Sequence, residues 1–522
     1  MLKKLHGRKL AVCLIGGAMY ALFSAFGWQA EHGGVIWAGG ALLVAALLVW
    51  PIAALLAVLL ERGYTRTLRR EKTFRAGRAF AFILACYVPM FCVAFPGSFA
   101  YDVPYQLRQV VTGAYSTHHP LLHTLALGGL LQLGRALGDI NLGAALYTAL
   151  QMALLAGCFA LTCGSIARQS GARAAKRAAV FFALYPLNMV MAVNATKDVL
   201  FGGFFALTLA LLNEIREKPS RGLALKIAAC GALAVMLRNN MAYAALVWLA
   251  LLTLGLRKAE KSAALAMLLA LAVGLCGNAA LKRATRAESG DMSEMLSWPI
   301  QQLARARLYD EERLTDAEKE AIDELMPGEA WACYDPTISD PVKFEFDTQA
   351  FRADVKKYVG VWLSVGKKCA GTYLDATMAL TYPFFYPYRE YRVSGYYVQM
   401  GMSDAYDAGW CDFDPPESRS LFPRALASLS WRFGAKGAMQ IPVVGWLFNM
   451  GVIVWTMLFF ALREMYWGRW RRFGTALLPV LLWGTFLLGP VMAGRYIYPF
   501  VCALPVLAAR PGRSVKEAER HG

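Results

Sequence analysis

Asp102, Arg108, His118, His119, Lys197, Asp198, Arg238 and Arg495 all stand where long apolar runs end. A carboxylate can take a proton from a hydroxyl that lies within hydrogen-bond reach. Lysine and arginine can hold a phosphate, arginine through two parallel bonds. Together these types suit a phosphate-bearing lipid and a nucleophile that needs a base. Ionisable groups at the edge of a membrane bundle are costly to keep there and are usually functional.

The elements that must carry them are apolar helices. The chain has 522 residues, 57% of them hydrophobic, with a mean hydropathy of +0.40. Runs such as 10–30 and 35–60 contain almost no charge and reach the ~20 residues that cross a bilayer as a helix. They neither alternate in polarity nor stop at strand length, which excludes a membrane barrel. The first run follows Lys3, Lys4, Arg8 and Lys9 and is too long for a signal peptide, so it reads as a retained span. The expected fold is an all-α polytopic membrane protein of about twelve transmembrane helices. They are placed near 10–30, 35–60, 79–95, 140–163, 178–193, 198–213, 224–237, the run ending before Arg257, 262–280, 441–461, 474–491 and 496–509. The stretch 120–137 is expected to lie half-inserted, without crossing.

Charge placement orients this bundle. Residues 281–440 hold 24 of the 36 acids but 19 of the 54 bases. The remaining bases fall mostly in short loops, the positive-inside pattern. This predicts a bacterial plasma (inner) membrane protein with both termini cytoplasmic and 281–440 extracytoplasmic. The net charge of +18 therefore speaks for anionic membrane lipids as partners and not for nucleic acid. Three regions follow: a bundle over 1–280 with an outer loop at 96–119, an extracytoplasmic domain over 281–440 of mixed α/β or irregular structure, and C-terminal helices with a basic tail over 441–522. In the middle region Thr315-Asp-Ala-Glu reads as a capped helix start. An amphipathic helix within 356–385 suits a membrane surface. Cys333, Cys369 and Cys411 lie there too, and a Cys333–Cys411 disulfide is compatible with an exterior location.

The run FPGSFAYD followed by HHPLLHTLALGGLLQLG, together with NATKDVLFGGFFALTLALL, MLRNNMAY and GRYIYPF, resembles the GT-C superfamily of membrane glycosyltransferases. The resemblance covers most of 79–260 and 474–509. It implies transfer of a sugar from a polyprenyl-phosphate donor to an acceptor hydroxyl on a glycan, lipid or protein, with inversion, on the outer face. Asp102 matches the loop acid and would act as base or acceptor orienter, with His119 holding it or the donor phosphate. Arg495, Arg238 and Lys197 would bind the donor phosphate. Gln301, Gln302, Tyr105, Gln106 and His118 would contact sugar or acceptor. Asp102 has no second acid beside it, only Tyr101 and Val103, so no metal ligand is assigned. A divalent cation, Mg²⁺ or Mn²⁺, carried on the phosphate stays open.

Simpler roles compete. Asp102 could cap the helix that starts at Pro104. His118, His119 and His123 could bind zinc. Lys197 and Asp198 could pair with each other, Arg238 and Arg495 could reach to lipid headgroups, and the aromatics of 380–397 could form an interface belt. Two rival functions remain, a transporter or flippase of a lipid-linked or anionic solute, and a polysaccharide polymerase or ligase of another membrane fold. No internal repeat of the kind transporters carry is evident.

Overall fold

The structure is a computed structural model. It describes residues 5–32, 40–62, 73–100, 102–253, 260–387, 398–402, 415–434, 437 and 441–510. Among these the chain is helical, and β pairing is confined to isolated bridges.

The helices in chain order are α1 (Arg8–His32), α2 (Gly40–Arg62), α3 (Ala76–Ala94), α4 (Val103–Thr112), α5 (Leu121–Ala136), α6 (Ile140–Ser170), α7 (Ala172–Leu184), α8 (Pro186–Ala192), α9 (Lys197–Glu217), α10 (Arg221–Leu237), α11 (Asn239–Thr253) and α12 (Lys261–Thr285). A second group follows: α13 (Ser297–Tyr309), α14 (Asp316–Leu325), α15 (Asp340–Phe344), α16 (Thr348–Ala353), α17 (Val355–Lys368) and α18 (Ala370–Thr381). The chain closes with α19 (Pro423–Gly434), α20 (Met450–Tyr466), α21 (Trp470–Leu487) and α22 (Tyr498–Ala508).

Six of these helices, α1, α2, α3, α6, α9 and α12, are long and apolar enough to cross a membrane. The expectation of about twelve spans is not met among the described residues. The other expected positions do carry helices, but α10, α11, α20 and α22 have 17 residues or fewer. At 1.5 Å per residue, 17 residues reach about 26 Å, short of the ~30 Å hydrocarbon core. The expected span at 178–193 is broken at Tyr185-Pro186, and the first turn of α21 carries Arg471 and Arg472. Large side chains such as Leu43, Leu47 and Leu55 on α2 and Leu265, Leu268 and Val273 on α12 are exposed in rows, as a lipid-facing surface requires.

The main core forms around α9, which is apolar on nearly all sides and buried on nearly all sides. Small residues set the closest approaches, the means by which helices associate when lipid is as apolar as leucine. A Cβ at Gly134 on α5 would lie 2.3 Å from the Gly143 backbone nitrogen of α6. A Cβ at Gly231 on α10 would lie 2.7 Å from Ala270 of α12. The turn between α5 and α6 uses Gly138 at φ +91° and Asp139, whose carboxylate accepts from Asn141 N.

Among the described residues the middle region is helical, with no strand. Ile300, Leu303, Ala304, Ile322, Leu325, Val342 and Val365 form a core of their own. The expected cap is present: Thr315 accepts from Glu318 N, and Glu318 accepts from Thr315 N. The expected amphipathic helix is two helices, broken at Cys369, and Trp362 turns inward to donate to Gln302. Tyr382, Phe384, Phe385 and Tyr386 are buried in the main core, so this part of the expected aromatic belt is interior packing. Residues 388–397 and Cys411 lie outside the described residues. Cys333 is exposed and Cys369 buried.

Candidate functional site

The loop from α3 to α4 is built by pairing with distant chain. Ser98 N donates to Val193 O at 2.8 Å, and Ala195 N donates to Ser98 O at 2.8 Å. Ser98 Oγ donates to Gly401 O at 3.1 Å and accepts from Gly401 N at 2.9 Å. Three segments about 100 and 300 positions apart in sequence are thereby clasped just ahead of Asp102.

Asp102 sits at the N-cap position of α4, but its side chain makes no capping bond. The capping role is therefore not what it does. Lys197 Nζ donates to Oδ2 at 3.0 Å, and Arg495 donates from Nη1 to Oδ2 at 3.3 Å and from Nη2 to Oδ1 at 3.4 Å. His119 Nδ1 stands 3.6 Å from Oδ2. The Asp102 side chain keeps 23% of its surface accessible, while Lys197, Arg495 and His119 keep 14%, 11% and 7%. The carboxylate is thus partly accessible and flanked by two cations and an imidazole, a setting termed the recess.

A second carboxylate continues the array. Asp198, in the first turn of α9, is fully buried, accepts from Arg238 Nε and from Thr196 Oγ1, and lies 3.9 Å from Arg495 Nε. The expected Lys197–Asp198 pair does not form. Lys197 reaches Asp102, and Asp198 takes Arg238 and Arg495, because adjacent residues at a helix start point to different sides. Arg238 lies against two neighbouring aromatics, its guanidinium carbon 4.8 Å from the Phe486 ring centre and 4.6 Å from that of Tyr496. The order His119, Asp102, Lys197 and Arg495, Asp198, Arg238 is one contiguous line of charge and dipole. It joins the α3–α4 loop, the start of α9, the end of α10 and the turn before α22.

Burial pushes the Asp102 carboxyl up, and Arg495, then Lys197, outweigh it and hold it well below the usual carboxylate range. Burial presses His119 down to about 3 despite the nearby Asp102 charge. The His119–Asp102 approach is therefore a neutral imidazole beside a carboxylate and not an ion pair. Its Nδ1 has no hydrogen-bond partner among the described residues.

Behind the recess lies a buried polar chain that sequence reading missed. The Gln106 amide meets His123 Nδ1 at 3.1 Å, His123 Nε2 meets the Tyr147 hydroxyl at 2.9 Å, and Tyr147 donates to Gln151 Oε1 at 3.0 Å. Gln151 donates to Ala192 O and Asn194 O at 3.0 and 2.8 Å. Burial holds His123 down at about 4, so it is neutral. Tyr147 has one O–H and neutral His123 one N–H, so the three bonds complete together when His123 carries its proton on Nε2 and the Gln106 amide is turned to offer its NH₂, with the other Gln106 amide atom left without a partner among the described residues. The network ties α4, α5 and α6 to the segment leading into Lys197. Its signal was the polar set at 106, 123, 147 and 151 inside otherwise apolar stretches.

The remaining expected contacts divide. His118 is half-exposed, 3.9 Å from Glu294 and edge-on to His119 at 4.6 Å. The three histidines do not converge, since His123 faces Gln106 and Tyr147. Tyr105 is exposed, and Gln106 is buried in the polar chain. Gln301 donates to Asp335 O and Ile338 O, and Gln302 bonds Thr377 and Trp362. Gln302 uses both ends of its amide in holding the middle helices together, whereas Gln301 uses its nitrogen twice and leaves Oε1 without a partner among the described residues. Neither lies among the residues around Asp102.

A family model matches residues 111–521, well over half of the chain. The chain belongs to the DUF6020 family. DUF6020 is described as a family of unknown function, and the match takes in His119, Lys197, Arg238 and Arg495 while beginning after Asp102. No protein of curated function and no solved structure matches this DUF6020 chain.

Proposed function

We propose that the chain is a membrane glycosyltransferase of GT-C type, moving a sugar from a polyprenyl-phosphate donor to an acceptor hydroxyl at the Asp102 end of the bundle. The observation that carries this reading is the partly open carboxylate held by Lys197 and by both terminal nitrogens of Arg495. Five residues read from separate parts of the sequence, Asp102, His119, Lys197, Arg238 and Arg495, share one array. The placement of that end outside a bacterial plasma membrane belongs to the same proposal and rests on the basic loops.

The chemistry balances as follows. The acceptor oxygen forms a bond to the anomeric carbon as the bond from that carbon to the phosphate oxygen breaks. Polyprenyl phosphate leaves with the electron pair, and the hydroxyl proton passes to Asp102. With Arg495 and Lys197 holding its charge, Asp102 is too acidic to be a strong base. A donor phosphate competes for those same cations. As Lys197 and Arg495 turn to the phosphate, Asp102 loses the partners that depress it and becomes a better proton acceptor. Arg495 and Arg238 stabilise the charge that develops on the leaving phosphate. A divalent cation would supply further charge on that phosphate; the described residues assign no protein ligand to it.

The test is release of polyprenyl phosphate by the purified chain from a panel of polyprenyl-phosphate sugars. Asp102→Asn should lower turnover by about 10²–10⁴-fold, the range of a positioned acid or base. Undiminished turnover in a folded Asp102→Asn protein would overturn the assignment.

A further inference from the structure

At the far end of α9 from Asp198 lies a second basic site. Residues 198 and 216 are about 27 Å apart along the helix at 1.5 Å per residue. There a cleft of about 980 Å³ opens between α9, α11 and the start of α21. Arg216 reaches into it with its side chain almost completely buried. Nε donates to Glu260 Oε2 at 2.8 Å and Nη1 to Arg471 O at 2.9 Å, while the guanidinium lies 5.3 Å from the Trp248 ring centre. Nη2 has no hydrogen-bond partner among the described residues and lies over Gly474, where a Cβ would come within 3.0 Å of it. Asn213, more than nine-tenths buried on the same wall, leaves its Oδ1 without a partner among the described residues, an acceptor that asks for a donor and not for an anion.

An orphaned guanidinium nitrogen on a residue that lines this cleft indicates a missing acceptor, because buried donors are otherwise satisfied. The sign of that occupant follows from the rim. Arg469, Arg471 and Arg472 line the cleft beside Arg216, against Glu217 and Glu260. Arg216–Glu260 and Arg472–Glu217 pairs leave Arg471 exposed with its carbonyl engaged. The first turn of α21 adds backbone N–H groups that no intrahelical carbonyl takes. Leu251, Leu252 and Leu477 give the cleft one apolar wall.

We propose that this cleft binds a phosphate-bearing anion, with the headgroup of an anionic phospholipid as the source that its apolar wall favours. The phosphate would sit between Arg216 Nη2 and the Arg471 side chain. This site is independent of the glycosyl-transfer reading.

The test uses the full chain in nanodiscs of phosphatidylcholine, with and without phosphatidylglycerol, and separately in detergent with sodium phosphate against chloride at equal ionic strength. The thermal unfolding midpoint is read in each. Phosphatidylglycerol should raise it, with apparent affinity about tenfold weaker in Arg471→Ala. Arg216→Lys, which keeps charge but loses the fork, should weaken it likewise. Lys282→Ala removes an exposed base at the other end of the bundle and should leave the response intact. A response to sodium phosphate alone would make the ligand a soluble phosphate and still uphold the site. No response to either probe, or an equal response in Arg471→Ala and Lys282→Ala, would overturn it.

Discussion

Arg495 differs from the other cations at the recess because it holds both oxygens of Asp102 and also approaches Asp198. Lysine at this position would keep the charge but lose the planar fork. Arg495→Lys should therefore raise the donor concentration at half-maximal rate by about tenfold, with a smaller change in turnover, as measured by steady-state kinetics. An unchanged donor dependence would remove Arg495 from phosphate binding. The histidines predict a pH response of known sign. His119 binds its proton near 3 when folded and near 6.5 when unfolded. Below about pH 6.5 the unfolded chain takes up a proton that the folded chain refuses, so stability falls as pH drops through that window and is flat above it. His123 adds a contribution of the same sign. The lowered Asp102 value also gives a loss on acidification, starting lower, near the ordinary aspartate range. Unfolding midpoints of His119→Gln should show a shallower decline between about pH 6.5 and 5 than those of the parent chain.

Helices carry these groups through a few exacting contacts. The polar chain through Tyr147 is one, and Tyr147→Phe would leave His123 and Gln151 each short of a partner. A cost of roughly 1–3 kcal/mol is expected, read as a lower unfolding midpoint. The α5–α6 crossing is another. Gly134→Val would drive side-chain atoms into the Gly143 backbone, and a loss of about 1–3 kcal/mol or failed expression should follow. The sequence made several elements legible: hydropathy located the helices, and Thr315 with Glu318 located a cap. It missed the break of 178–193, since Tyr185-Pro186 interrupts a helix without interrupting an apolar run. The reading of 380–417 as irregular chain or short strands falls largely outside the described residues, while the described part of 281–440 is helical. The apolar positions there, such as 300, 303 and 304 with 322 and 325, serve helices packed on one another. Gln301 and Gln302 looked available for a ligand only because their partners, at 335, 338, 362 and 377, are remote in sequence.

The molecule as a whole has two charged ends joined by apolar helices. The Asp102 array occupies one, and Lys9, Glu61, Arg168, Glu214, Arg216 and Arg463 gather at the other. The site was readable because charge cannot be hidden in an apolar run, so each ionisable residue announced a helix end. Which carboxylate takes which cation depends on side-chain direction and was not readable. The proposed sidedness predicts that a membrane-impermeant maleimide added to intact cells labels Cys333, which is exposed in the middle unit. Labelling that needs permeabilised cells, with Cys333→Ser as the blank, would reverse the orientation. The clasp at Ser98 and the fork of Arg495 also set an order of events during biosynthesis. Asp102 leaves the ribosome 95 residues before Lys197 and 393 residues before Arg495. For most of translation the recess is a carboxylate awaiting its counter-ions, and a nascent chain halted ahead of position 495 holds half of its charge pairs. Assembly of this charge array therefore waits for position 495, and a truncation just ahead of Arg495 should be as damaging to it as one far upstream.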